Sequence, residues 1–437
     1  MTIEECIYKN SLKFPQKPAL ICGNQTVTYS VFWQMISSYA SDLNKLSECR
    51  KMIYQVYRTA QNIDFAVRYF AAHLAKIINV PVDNDISKER FEEIENELSA
   101  SASSMCGEHS VADIMFTTGT TGRPKGVMLT HENLSAAAEN INAFVGNTAD
   151  DTELIALPLG HSFGLGRLRC VLSKGGTAVL ANGFANIKKL FETIENQHCT
   201  GFAFVPAAWN YIQRISGDKI SKFAGQLKYI EIGSSYMSET SKRKLMSLLP
   251  QTRICMHYGL TEASRSTFLS FFDDEKHLNS IGRESQNTEI KIFEDGEIGV
   301  KGPHVFYGYL NGEKAEFRDG FFLTGDCGKK DSDGYIYLTG RKKEIINVGG
   351  KKVSPFEVES VLNSYPDIKE SCCVGVHDEV YGEVVKAYLV VKKTVDYKEL
   401  RKFLNGKIET YKFPASFETV TNLPKTESGK LQRLKLK

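Results

Sequence analysis

Between residues 111 and 260, short β-rich runs alternate with helical patterns, and this alternation limits the architecture more than any other feature of the chain. Asp113–Thr117, Leu154–Pro158, Thr177–Leu180, Phe202–Val205, Tyr229–Ile232 and Arg253–His257 read as strands. Asn133–Phe144, Phe163–Leu172 and the amphipathic Ile187–Asn196 read as the helices between them. A sheet built this way has mostly parallel strands with helices layered on it, and its ligands sit beyond the carboxyl ends of the strands.

The pattern changes after about residue 290, where short β runs with glycine turns continue to Leu338. A polar stretch, Gly340-Arg341-Lys342-Lys343-Glu344, precedes a compact α+β tail. In that tail Val358–Leu362 and Lys398–Leu404 read as helices, and Cys372–Val376 and Ala387–Val391 as strands. The expected division is therefore a large layered α/β domain over 1–342 and a small α+β domain over 343–437, joined by a hinge at Lys343.

Charge excludes some partners. Lys plus Arg is 54 against 52 for Asp plus Glu, a balance that points to neither nucleic acid nor an anionic membrane surface. Phe65–Val82, the most apolar stretch, carries Arg68, His73 and Lys76 and reads as a core helix and a strand rather than a membrane span. The ten cysteines form no C-x-x-C pair, which suits thiols in a reducing compartment. The N-terminus has no basic region leading into an apolar run, and the final Leu-Lys-Leu-Lys is not a peroxisomal address, so the expected location is cytoplasmic.

Five motifs carry chemistry. The first runs from Thr117 through Thr118, Gly119, Thr120, Thr121 and Gly122 to Lys125-Gly126. Glycines there let backbone N–H groups turn toward an anion, while hydroxyls and an ammonium complete a phosphate cradle. It is not the G-x-x-x-x-G-K-[ST] loop, because Pro124 stands where the second glycine belongs. The second is Tyr258-Gly-Leu-Thr261-Glu262, with an aromatic to stack on a base, a hydroxyl for a phosphate and a carboxylate for Mg²⁺. In the third, Asp326 is a bidentate acceptor for a ribose diol and Arg341 a donor to the same sugar; the nearby Asp331-Ser-Asp-Gly reads as a hairpin turn. The fourth, Asn347-Val-Gly349-Gly350-Lys351, allows close approach of a narrow ligand. The fifth presents Lys430 on the polar loop Pro424–Lys430. By themselves these residues describe a magnesium–nucleotide site with a mobile basic tail, and leave adenylation and phosphoryl transfer both open.

In this order and spacing, from about Val111 to Arg433, the motifs resemble the adenylate-forming superfamily of acyl- and aryl-CoA ligases, peptide-synthetase adenylation domains and beetle luciferases. The resemblance implies a large and a small domain that rotate about Lys343. It implies that Thr117–Gly126 holds the β- and γ-phosphates, that Gly233, Ser234, Ser235 and Tyr258 line the adenine site, and that Asp326 and Arg341 hold the ribose. Thr261 would touch the α-phosphate and Glu262 the Mg²⁺. Lys430 would sit between the carboxylate and the α-phosphate, where its charge counts most in the transition state. Rotation would then bring Asn347–Lys351 to a thiol channel. The implied activity is ATP- and Mg²⁺-dependent formation of an acyl-adenylate, followed by transfer to CoA. The alternatives are the phosphopantetheine arm of a carrier protein as acceptor, or a catalytically degenerate nucleotide-binding protein.

Substrate type is read from Pro158-Leu-Gly-His161-Ser-Phe-Gly-Leu165, which matches the family stretch that carries a His near the acyl pocket. No Asp stands in evident place to bind an α-amine, so a plain carboxylic acid is expected; a packed loop histidine is the other reading of His161. Phe204 and Trp209 are candidate walls for the pocket, or simply core. Only 112 residues precede Asp113, which is short for the family, and Arg50–Val82 looks trimmed. A monomer or a homodimer fits these features equally.

Overall fold

The computed structural model describes residues 1–50, 53–105, 111–117, 125–310, 312, 314–425 and 431–436. They form two compact units: Met1–Ile290 with Val300–Phe322, and Lys291–Gly299 with Leu323–Lys437. The first is the large α/β unit and the second the smaller α+β unit.

The large unit contains two sheets. In the nine-stranded sheet the order is Arg283–Glu284, Thr267–Ser270, Arg253–Tyr258, Tyr229–Ile232, Gly201–Phe204, Thr152–Ile155, Thr177–Leu180, Pro18–Cys22 and Gln25–Thr28. Pairing is parallel from Arg253–Tyr258 to Pro18–Cys22 and antiparallel toward both edges. The central strands are buried on both faces: every residue of Tyr229–Ile232, Gly201–Phe204 and Thr177–Leu180 is buried. The second sheet runs Gly308–Tyr309, Lys125–Thr130, Val111–Thr117, Ile78–Val82 and Tyr54–Arg58. Its last two strands flank the helix Ile63–Leu74 and with it form a parallel β-α-β unit.

Local chemistry sets the helices. In Ile187–Asn196, Ile187, Leu190, Phe191 and Ile194 are buried at helical spacing, and the Asn186 side chain accepts from the Lys189 N–H at 3.0 Å. Thr130 and Asn133 form a capping box that opens His131–Val145, and Gly146 closes it at φ 82°. One strand is shorter than its sequence suggests: Leu154–Pro158 was expected, but pairing stops at Ile155. The Gln61 amide takes the carbonyls of Ile155 (3.3 Å), Leu157 (2.8 Å) and Ala181 (3.2 Å), so a side chain replaces the ladder there, and Pro158 has no N–H to extend it. None of the described helices is long and apolar enough to cross a membrane.

In the small unit the helices Pro355–Leu362 and Tyr397–Leu404 pack on the sheet Lys351–Val353, Ile346–Val348, Gly382–Val391, Ile368–Asp378, to which Ser416–Thr419 adds in parallel. Val353, Val358, Leu362, Leu389, Leu400 and Leu404 are core residues there.

A charge cluster ties the large unit together. His73 on Ile63–Leu74 lies 2.7 Å from Glu4 Oε1 through Nδ1 and 2.8 Å from Asp113 Oδ1 through Nε2. Burial alone would depress its basicity, but the two carboxylates outweigh it and push its pKa up to about 9. Glu4, His73 and His131 come close enough together to suggest metal ligands. With both ring nitrogens donating to carboxylates, however, His73 is an imidazolium and has no lone pair to offer.

Candidate active site

Three loops leave the carboxyl ends of neighbouring parallel strands on the nine-stranded sheet, where open α/β sheets bind ligands. The first follows Tyr229–Ile232 and holds Gly233, Ser234 and Ser235. A Cβ on Gly233 would come within 2.1 Å of the His257 ring, so only glycine fits. Ser234 has φ 77°, a left-handed conformation uncommon outside glycine and frequent at functional turns.

The second follows Arg253–Tyr258 and carries Gly259, Thr261 and Glu262. Leu260 and Ala263 exchange backbone hydrogen bonds at 3.0 and 3.2 Å, which folds the segment tightly. A Cβ on Gly259 would lie 2.4 Å from the Arg265 nitrogen. Glu262 Oε1 accepts from Tyr309 Oη at 2.9 Å, and the Glu262 carbonyl accepts from Phe306 N–H at 2.8 Å.

The third is the single residue Val205, which links the strand Gly201–Phe204 to the helix Pro206–Ser216. Phe204 and Trp209 are fully buried and stack with ring centres 6.2 Å apart.

The phosphate-loop motif joins two antiparallel strands in register, Thr117 opposite Lys125. Thr118, Gly119, Thr120, Thr121 and Gly122 lie outside the described residues. Lys125 Nζ stands 4.7 Å from the centre of the Tyr309 ring. One tyrosine thus touches a carboxylate and an ammonium. A carboxylate for a hard cation and an ammonium for phosphate, set beside loops that exclude Cβ atoms, fit a magnesium–nucleotide.

His161 is the residue before the helix Ser162–Lys174, and its Nε2 lies 3.5 Å from Asp83 Oδ2. A Cβ on Gly160 would fall 2.3 Å from Oδ1 of the same aspartate, so a larger residue there would displace the Asp83 carboxylate.

Beneath the loops lies a buried ionic network that was not evident in the sequence. Arg167 donates to Glu153 (Nε, 2.7 Å) and Glu231 (Nη1, 3.0 Å); Arg265 donates to Glu231 (Nε, 3.2 Å); His257 Nδ1 lies 2.6 Å from Glu231. Burial raises the Glu231 carboxyl, but Arg265, His257 and Arg167 outweigh it and hold it far below the usual carboxylate range. His257 is pushed down, chiefly by burial.

In the small unit, Asp326 and Arg341 face each other across the hairpin Phe321–Lys330/Ile336–Arg341, with Nε–Oδ1 at 2.9 Å. The connecting Asp331–Gly334 segment is the expected turn, closed by Asp331 N–H to the Tyr335 carbonyl at 2.9 Å. Lys343 is exposed in the short 3-10 turn Lys342–Glu344. Gly349 and Gly350, at φ 56° and 83°, form the two-residue turn between Val348 and Lys351, which needs positive φ at both places. Lys430 lies outside the described residues; on either side of its segment, Lys425 and Leu431 form an antiparallel bridge. Arg433, which the motifs did not single out, donates to Glu344 at 2.8 Å and to Glu359 at 2.9 Å.

Comparison with known proteins bears on the family and the fold. The AMP-binding enzyme family matches residues 97–310, and the AMP-binding enzyme C-terminal domain matches 357–430. The 2-succinylbenzoate–CoA ligase of Bacillus licheniformis is 37% identical over 345 residues, covering 74% of this chain and 69% of that protein. The ligase of the same name from Listeria monocytogenes is 34% identical over 334 residues, covering 75% and 69%. The solved o-succinylbenzoate CoA synthetase of Bacillus subtilis, in complex with its acyl-adenylate intermediate, matches with a TM-score of 0.85 at 27% identity over 99% of this chain and 97% of that one. ATP-bound MatB from Rhodopseudomonas palustris shares the fold, with a TM-score of 0.87 at 22% identity over 100% and 98%. The chain belongs to the AMP-binding enzyme family, the adenylate-forming superfamily. Within it, this protein is an acid–thiol ligase of the acyl-CoA synthetase kind. It uses ATP and Mg²⁺ to activate a carboxylic acid as an acyl-adenylate and transfers the acyl group to CoA.

Proposed function

We propose that the acid is a plain carboxylate recognised beside His161, and that the two half-reactions are divided between residues of the two units. The observation that carries this reading is the placing of Glu262 and Lys125 on one tyrosine, a carboxylate just past the carboxyl end of Arg253–Tyr258 and an ammonium at the start of Lys125–Thr130.

Bound Mg²⁺ would neutralise charge on the triphosphate, and Glu262 is the carboxylate that would hold it. Lys125 with Thr117, Thr118, Gly119, Thr120, Thr121 and Gly122 would bind the β- and γ-phosphates, and Thr261 would donate to the α-phosphate. Tyr258, Gly233, Ser234 and Ser235 would line the base, and Asp326 with Arg341 the ribose. Attack of the substrate carboxylate on the α-phosphorus builds negative charge on the bridging oxygen and the departing pyrophosphate. Lys430 supplies the compensating cation.

The small domain, taken as 343–437 against 1–342, would then turn about Lys343 and bring Gly349 and Gly350 to the thiol. The exposed 3-10 turn that carries Lys343 supports a hinge there. The acyl body would lie toward His161, with Phe204 and Trp209 behind it. The relatives' acid, 2-succinylbenzoate, is the first to test. Cytoplasmic residence is part of the proposal, since eight of the cysteines are free thiols and six of those are buried.

The test is acid-dependent pyrophosphate exchange over a panel of 2-succinylbenzoate, aryl, fatty and amino acids, with CoA consumption measured in parallel. Exchange with a non-amino acid is expected. Exchange with amino acids alone would overturn the plain-acid reading.

A further inference from the structure

Glu262 and Lys125 stand on different elements, and Tyr309 touches both. Its hydroxyl donates to Glu262 Oε1 at 2.9 Å, and its ring lies 4.7 Å from Lys125 Nζ.

The backbone holds this tyrosine from two sides. On one side, Gly308–Tyr309 pairs antiparallel with Lys125–Thr130, Tyr309 opposite Val127. Leu310 N–H donates to the Gly126 carbonyl at 2.8 Å and Tyr307 N–H to the Met128 carbonyl at 3.0 Å. A Cβ on Gly126 would meet Leu310 Cβ at 3.0 Å, so the glycine after the loop lysine lets the two segments lie this close. On the other side, Phe306 N–H donates to the Glu262 carbonyl at 2.8 Å, and Ala263 bridges to Val305. The buried Phe306 ring meets the Tyr309 ring edge-on at 4.8 Å and limits its rotation. Residues 305–310 are thus a strap, bonded at one edge to the strand that starts with the phosphate-loop lysine and at the other to the Thr261–Ala263 turn.

We infer that Tyr309 is a positioning residue that fixes the spacing between the nucleotide's metal ion and its phosphates, by holding the carboxylate that takes the one and the ammonium that takes the other. This rests on the nucleotide site proposed above. A hydrogen bond to one carboxylate oxygen fixes the rotation of Glu262 and so aims its second oxygen; supporting contacts of this kind tune metal affinity. The ring face attracts the lysine cation and restricts a flexible chain. Tyr309 itself reaches no reacting atom in this account.

The test uses Tyr309→Phe, which keeps the ring and loses the hydroxyl, and Tyr309→Leu, which loses both. The first readout is the rise in melting temperature on titrating Mg²⁺ at fixed ATP. The second is the Mg²⁺ dependence of acid-dependent pyrophosphate exchange. For Tyr309→Phe, the Mg²⁺ needed for half of each effect rises about tenfold, a loss typical of a supporting contact. The exchange rate at saturating Mg²⁺ stays within about threefold of wild type, because Mg²⁺ in excess compensates the weakened site. Tyr309→Leu raises, in addition, the ATP needed at saturating Mg²⁺. A Tyr309→Phe protein with wild-type Mg²⁺ dependence in both readouts overturns the inference, whether or not its ligand-free melting temperature has fallen. A wild-type protein with no ATP-dependent rise would sink the nucleotide site itself, which is a separate result.

Discussion

Arg265, in the segment after Arg253–Tyr258, joins Glu231 to the segment that presents His161. Its Nε donates to Glu231 at 3.2 Å, while Nη1 and Nη2 donate to the carbonyls of Ser162 and Phe163, each at 3.1 Å. A Cβ on Gly166 would lie 2.7 Å from Nη1, so the helix that starts after His161 is shaped to receive the guanidinium. Replacing Arg265 by Met would leave Glu231 buried with one partner fewer. Such losses cost about 3–5 kcal/mol. Urea denaturation should show a drop of that size; a drop below about 1 kcal/mol would mean that Arg167 and His257 suffice for Glu231.

The His73 cluster makes stability fall at alkaline pH. The folded-state value near 9 exceeds the ordinary value of 6.5. The imidazolium's contribution is therefore complete below about 6.5 and is lost as pH rises through about 9. The change is on the order of 3 kcal/mol. Unfolding free energies at pH 6, 8 and 10 should decline more steeply for the wild type than for His73→Gln. Parallel profiles would remove His73 from the account.

Under the proposed function, His161 stands at the acid rather than at ATP. His161→Ala should alter relative rates across the acid panel while leaving the ATP concentration for half-maximal exchange within about twofold. A uniform loss for every acid, together with weakened ATP binding, would place His161 in the nucleotide site or in the packing.

Lys343→Pro tests the hinge. Proline fixes φ at residue 343 and disfavours the helical conformation of Lys342, which the 3-10 turn requires. Adenylation and thioester formation, assayed separately, should be affected unequally. Both proceeding at the wild-type rate would mean that the domains do not turn at Lys343.

What could be read from the sequence was local. Ile187–Asn196 and Tyr229–Ile232 fall where their periodicity put them, because burial pattern and caps lie within one segment. The loops proposed for the nucleotide stand out in the sequence for a similar reason: each motif packs glycines and polar groups into a few residues. The Leu154–Pro158 strand was overextended because its termination depends on Gln61, far away in sequence. Tyr309, Arg265 and Arg433 passed unnoticed because a lone Tyr or Arg gives no signal until folding brings its carboxylate partner beside it.

The central claim is that Lys430 acts in adenylation alone. Two single-turnover assays on one preparation of Lys430→Ala decide it: acyl-adenylate formation from acid and ATP, and conversion of supplied acyl-adenylate to thioester with CoA. Loss of one transition-state electrostatic contact typically costs about 10²–10³ in rate. The account predicts a loss of that size in the first assay, a near-normal rate in the second, and unchanged folding. If both rates fall together, or neither falls, Lys430 is not the adenylation lysine and the division of labour proposed between the two domains is contradicted.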